Sequence, residues 1–232
     1  DAKRGKIFTR LIKELTVASR NGGGDPGMNP RLRTIIAAAK EVNMPADNIK
    51  KAIMRGTGEL PGIVYEEITY EAYGPGGSAL IIETLTDNKN RTVGELRHML
   101  EKHNGNLGST NSVAWMFTKK GHIVVDKAKA DEEKLLSVAL EAGADDMQDD
   151  GTAWEVLSEP TAFEAVREAV KGLGIEPDSA QVAMLPQNYV TLTGKDANQM
   201  IRLMDALDDH EDVKQVWSNF DIEEKEIEAS LA

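Results

Sequence analysis

The sequence predicts a multidomain α+β protein: an N-terminal three-helix bundle followed by two α+β domains of the ferredoxin-like, split βαβ kind, the third domain inserted in the second. Three observations carry this. Apolar residues recur at three- and four-residue steps through the first sixty positions. From Val64 the pattern changes to β-rich runs punctuated by Gly and Pro. Between Ile123 and Leu185, strands and helices alternate in βαββαβ order. With 232 residues, 41% of them apolar and 28% charged, the chain can build several small cores.

Each element has its own signal. Ile7, Phe8, Leu11, Ile12, Leu15 and Ala18 form one apolar stripe, ended by the loop NGGGDPG. Asn29 and Pro30 are a cap and first-turn pair for a second helix faced by Leu32, Ile35, Ile36, Ala39 and Val42. Met44-Pro45 breaks that helix, and a third runs through Ile49, Ala52 and Ile53 until Gly56 stops it. Val64–Tyr73 and Ser78–Thr86, separated by Gly74-Pro75-Gly76-Gly77, read as a hairpin. Thr92 with Glu95 reads as a capping box opening a helix through Leu96, Met99 and Leu100, and a strand is expected around Val113–Phe117.

The next stretch closes a sheet by itself. It comprises strand Ile123–Val125, a helix from Asp131 to Glu141, a strand near Ala144–Met147, the Asp150-Gly151 turn, strand Ala153–Leu157, helix Thr161–Lys171 and strand Gln181–Leu185. The tail supplies strand Tyr189–Leu192, a helix from Lys195 to Leu207 and strand Val213–Trp217, too little sheet to stand alone. It is expected to complete the sheet begun at Val64. The domains are thus 1–60, then 61–119 with 187–232, and the inserted 120–186. Junctions near Pro61-Gly62 and Gly121 would permit movement between them.

The net charge of −12 is unevenly spread: residues 1–60 carry +6 and the rest −18. A basic front on an acidic body points to a module that faces a polyanion. Lys3, Arg4, Lys6, Arg10, Lys13 and Arg20 lie on or beside the first helix, Arg31, Arg33 and Lys40 on the second, and Lys50, Lys51 and Arg55 on the third. These twelve cations are the candidate nucleic-acid contacts, since each phosphate neutralised releases counterions. Their ordinary alternative is a solvated face opposite the apolar stripe. Phe8 is the one aromatic in this block and lies on the stripe, so phosphate and shape contact are favoured over base stacking.

Other chemistries lack their patterns. Gly22, Gly24 and Gly27 spell G-x-G-x-x-G, but a helix precedes them and Pro26 interrupts them, so a dinucleotide site is not read here. No P-loop or nucleophile-elbow sequence occurs. His98, His103, His122 and His210 lack the helical spacing of a metal pair, and Asp145, Asp146, Asp149 and Asp150 lack calcium-loop alternation and read as a solvated hairpin tip. Glu223, Glu224, Glu226 and Glu228 read as a solvated run, and Trp115, Trp154 and Trp217 as strand residues packed in cores or interfaces. The absence of cysteine excludes disulfides, zinc ribbons and thiol catalysis and suits a reducing compartment. No enzyme, metal, cofactor, small-molecule substrate or membrane partner is expected.

The run NGGGDPGMNPRLRTIIAAAKEVNMPADNIKKAIMRGTGE from Asn21 to Glu59, YEEITYEAYGPGGSALIIETLTDNKNRT from Tyr65 to Thr92, and WSNFDIEE near the end resemble the YebC family, and a member of the enterobacterial type is expected. Mitochondrial relatives in that family are translational activators of cytochrome oxidase. The resemblance implies a cytoplasmic, non-enzymatic protein with a helical domain followed by two α+β domains. Members are catalogued as probable DNA-binding transcriptional regulators; a second view places them at the ribosome, assisting elongation through proline-rich stretches. Family members start with a basic segment like AGHSKWxNIKxRK, whereas this sequence begins after it, at DAKRGK, so some contacts are expected in a missing N-terminal segment. Three functions follow for comparison: a DNA-binding regulator, a translation factor on ribosomal RNA using the same cations, and an acidic scaffold that binds a basic protein.

Overall fold

The computed structural model describes residues 2–231. It divides into two compact units, one formed by Asp1–Ala114 with Val190–Ala232 and the other by Trp115–Tyr189.

The first unit opens with α1 (Ala2–Gly22), α2 (Pro30–Glu41) and α3 (Ala46–Thr57). Leu15, Ala18, Leu32, Ile35, Ala39, Ile49 and Ala52 are buried together, so the expected stripes do form one core. Asn29 joins α1 to α2. Its carboxamide oxygen accepts from Leu32 N at 3.1 Å, and its nitrogen donates to Ala18 O at 2.9 Å and Gly23 O at 2.8 Å. One side chain thus caps the start of α2 and satisfies carbonyls at the end of α1.

Gly56 does not stop α3. The helix runs to Thr57 and ends on Gly58, whose φ of 85° is left-handed. Gly56 serves instead the crossing with α1, because a Cβ there would collide with Ser19 Oγ and Thr16 O.

The sheet of this unit combines β1 (Glu66–Tyr73), β2 (Ala79–Thr86), β3 (Asn106–Leu107) and, from the tail, β9 (Val213–Ser218), in the order β3-β1-β2-β9 with every pairing antiparallel. On it lie α4 (Lys89–Lys102) and α7 (Gly194–Asp209), sharing a core of Leu80, Ile82, Leu96, Leu100, Met200 and Leu203. The cap of α4 is Asn88, which accepts from Arg91 N at 3.1 Å, not Thr92. Thr92 is buried in the first turn and uses its hydroxyl on Asp212. The tail also departs from expectation. Its strand β8 (Val190–Leu192) does not join the main sheet but pairs in parallel with β10 (Phe220–Ile222). The acidic end folds as α8 (Glu224–Leu231), and Glu226 accepts from Gly194 N at 3.1 Å.

The second unit contains β4 (Phe117–Asp126), α5 (Glu132–Glu141), β5 (Ala144–Asp149), β6 (Ala153–Ser158), α6 (Phe163–Gly172) and β7 (Ser179–Pro186). Its strand order β5-β6-β4-β7, all antiparallel, is that of the split βαβ sheet. Ile123, Val125, Leu135, Val156, Val166 and Val170 fill the space between sheet and helices. Val113–Phe117 is not one strand: Ala114–Met116 makes a 3-10 turn and β4 begins at Phe117. Trp115 lies in that turn, while Trp154 and Trp217 are on β6 and β9. Gly121 is no junction either, being buried inside β4 against Ser158 and Phe163.

Candidate nucleic-acid interface

The structure sorts the twelve cations into two sets. The first set faces protein. Lys6 pairs with Asp209, and Arg10 binds Asp208 through its carboxylate and its carbonyl oxygen. Lys13 Nζ lies 3.0 Å from Asp212 Oδ1 and donates to Glu211 O, also at 3.0 Å. These three residues follow one another down one side of α1 and all meet the segment 208–212, where α7 gives way to β9. Arg31 forks onto Glu67 of β1, holding that carboxyl below its usual range while its own pKa rises. Lys214 of β9 reaches back to Glu14 at 3.7 Å. A charged seam therefore fastens the helices to the sheet.

Asp212 is the hub of this seam. It is 3% exposed and also accepts from Arg91 Nη2 at 2.8 Å and Thr92 Oγ1 at 2.9 Å. Burial pushes its carboxyl up, but the hydrogen bonds from Arg91, Lys13 and Thr92 outweigh that and hold it below its ordinary value. Asp212 N donates to His210 Nδ1 at 3.0 Å, which leaves Nε2 to donate to Glu95 at 2.8 Å. Glu95, His210 and Asp212 are close enough to hold a metal ion beside a cavity of about 570 Å³. Every one of those ligand atoms is already engaged by a protein donor or acceptor, and the Arg91 cation stands among them, so the cluster reads as a structural network. Histidine spacing could not reveal it, since the residues come from α4 and from the turn before β9.

The second set is turned outward. Lys3, Lys40, Lys50 and Arg55 are exposed, and their side chains make no ion pair or hydrogen bond among the described residues. Arg4 stacks over Phe8, 5.2 Å from the ring centroid, and Arg33 donates to Pro26 O at 2.8 Å. Arg20 reaches Tyr65 O at 3.5 Å, and Lys51 pairs with Asp47 one turn away at 2.6 Å. Arg20 and Arg55, from the last turns of α1 and α3, line one concavity of about 350 Å³ together with Gly56 and the linker 60–65.

Part of the acidic hairpin at 145–150 is partnered. Asp145 and Glu159 share Lys120, and Asp149 pairs with Lys127, so the hairpin tip is tied to β4 and the turn after it. Among the described residues no helix is long and apolar enough to cross a membrane.

Known proteins agree with this architecture. Residues 1–59 match the TACO1/YebC protein N-terminal domain, and residues 65–220 match the TACO1/YebC second and third domain. A protein of Acidobacterium capsulatum named a probable transcriptional regulatory protein is 62% identical over 226 residues, covering 97% of this chain and 92% of its own. One of the same name from Geobacter sulfurreducens is 56% identical, over 98% of this chain and 92% of its own. The crystal structure of a conserved hypothetical protein from Aquifex aeolicus is similar to this chain with a TM-score of 0.84 and 44% identity, covering 97% of this chain and 93% of that one. By both family matches and by these relatives, the chain belongs to the TACO1/YebC family.

Proposed function

We propose that this protein is a non-enzymatic, cytoplasmic regulator of gene expression that binds nucleic acid through its N-terminal helices. The observation that carries the reading is the outward set of cations: among the described residues the side chains of Lys3, Lys40, Lys50 and Arg55 make no ion pair or hydrogen bond, although the body of the chain offers a large surplus of carboxylates. Unpaired cations on a compact mount are available to neutralise phosphates and release their counterions. The names carried by the relatives, probable transcriptional regulatory protein, support a regulatory role and favour DNA as the ligand. The turn 42–45 between α2 and α3 also has the length of a helix-turn-helix connection, with Lys50, Lys51 and Arg55 on the helix that follows it.

Lys6, Arg10, Lys13 and Arg31 then act in folding, and the candidate ligand contacts are Lys3, Arg4, Arg20, Arg33, Lys40, Lys50, Lys51 and Arg55. Sedimentation of cell extract on a sucrose gradient, with parallel mapping of chromosomal occupancy, tests the ligand. Enrichment at discrete chromosomal sites with no ribosomal co-migration is the expected result. Co-migration with ribosomes that survives DNase and is lost on RNase would replace DNA with ribosomal RNA.

A further inference from the structure

We propose that the concavity between the last turns of α1 and α3 and the linker 60–65 is a binding site for one backbone phosphate of a polynucleotide, held jointly by Arg20 and Arg55. The inference rests on the reading that the helices meet nucleic acid, and it assigns where one phosphate sits.

The wall of this concavity contains two guanidinium groups and no carboxylate. Other cavities that include a cation of the helices or of α4 differ: those at Arg91, at Lys6, and at Arg10 with Lys214 each include Asp or Glu. An anion entering any of those would meet a carboxylate, and an anion entering between Arg20 and Arg55 would not. Glu59, the acid next to the linker, is instead held by Thr57 Oγ1 at 2.9 Å. Cations at helix C-termini commonly offset the local dipole. That role does not require two of them, from different helices, to line one hollow.

Both side chains are held in place. Arg20 is tied to the linker through Tyr65 O. The stem of Arg55 lies along Gly62, where a Cβ would come within 3.1 Å of its Cβ and Cγ and 3.2 Å of its Cδ. Planar guanidinium groups suit phosphate oxygens because they present paired donors. At about 350 Å³ the hollow is at the small end of ligand sites, which run from roughly 300 to 1,000 Å³. Ile63 and Val64, 57% and 58% exposed on its wall, offer an apolar surface to the adjoining sugar.

The first arm of the test is titration of the full ¹⁵N-labelled chain with inorganic phosphate at low ionic strength. The Arg20 and Arg55 Nε–H resonances and the amides of the linker are expected to move together with one dissociation constant. Arg20→Gln/Arg55→Gln should abolish the shifts, and Gly62→Ala, which keeps the charge but displaces the Arg55 stem, should weaken binding at least threefold. Shifts that never occur, or that persist in the double variant, overturn the site.

The second arm measures the salt dependence of binding to a mixed-sequence duplex. Because the two arginines share one phosphate, each single variant should keep a slope close to the parent's, the remaining arginine still neutralising that phosphate, and the double variant should lose about 0.9 from the log–log slope. A double-variant loss near 1.8 would place them on separate phosphates and overturn the proposal. If no polynucleotide binds while the phosphate titration succeeds, the functional reading fails and the hollow takes free phosphate only, which overturns its assignment to a polynucleotide backbone. If a duplex binds with unchanged affinity and slope in the double variant, the site fails and the functional reading stands.

Discussion

Lys13 Nζ stands 3.0 Å from Asp212 Oδ1, with the two side chains only 9% and 4% exposed, although 199 positions separate them in the chain. This pairing ties the first helix to the start of the last strand of the main sheet. Around it the seam runs outward from a buried centre to solvent-exposed ends at Asp208 and Asp209.

The pair's burial sets an order among substitutions. Asp212→Ala leaves Lys13 and Arg91 facing a hole where their acceptor stood, and loss of one partner from a buried pair costs about 3–5 kcal/mol. Its urea midpoint should fall accordingly. Asp208→Ala and Asp209→Ala remove exposed partners and should leave the midpoint close to that of the parent. Equal losses at all three positions would contradict the gradient of burial.

The same seam gives a signed pH dependence. Glu67 is held below its usual range by Arg31, and Asp212 by Arg91, Lys13 and Thr92 against the opposing effect of burial. A carboxyl with a lower pKa folded than unfolded adds stability that is complete above the unfolded value, about 4, and is lost as pH falls through the folded value. The stability gap between the parent and Glu67→Gln should therefore be constant from about pH 7 to 5 and close below about pH 4. Urea melts across that range check it, and a gap that widens in acid would reverse the sign.

Gly56 and Gly94 should respond oppositely to alanine. Both are helical, but a Cβ at Gly56 meets Ser19 and the carbonyl of Thr16, whereas at Gly94 nothing lies within 4 Å. Gly94→Ala is expected to stabilise α4 by about 0.5–1 kcal/mol through helix propensity. Gly56→Ala must push α1 and α3 apart and should lower the thermal midpoint. Gains at both positions would mean that the helices do not cross closely.

The sequence was most legible where neighbours decide the structure. The stripes that bury Leu15, Leu32, Ile35 and Ala52, and the cap at Asn29, depend on residues a turn or two apart. Local readings failed where two signals competed. Asn88 and Thr92 both resemble caps, and burial of Thr92 against Asp212 decides between them. Gly56 and Gly58 both resemble stops, and close packing on α1 claims the first. The strand expected at Val113–Phe117 is interrupted because Glu71 accepts the amides of Asn111, Val113 and Ala114, bending the chain there. For β8, partner choice was set by β10 rather than by its own composition.

Charge was legible in total but not in destination. The surplus at the front of the chain is visible by counting, yet the pairing of Lys6, Arg10 and Lys13 with residues 208–212 exists only once α1 is laid against the sheet. The cations left over are mainly exposed residues of α2 and α3.

The central claim, that the outward cations rather than those of the seam meet nucleic acid, is tested most directly by the salt dependence of duplex and RNA binding in two variants. Reversal of Lys50, Lys51 and Arg55 to Glu should lower affinity at low salt and flatten the slope by roughly 0.9 for each phosphate that is no longer neutralised, while Lys6→Gln/Arg10→Gln should keep the parent slope. Unchanged affinity and slope in the first variant, or a flattened slope in the second, would contradict the account.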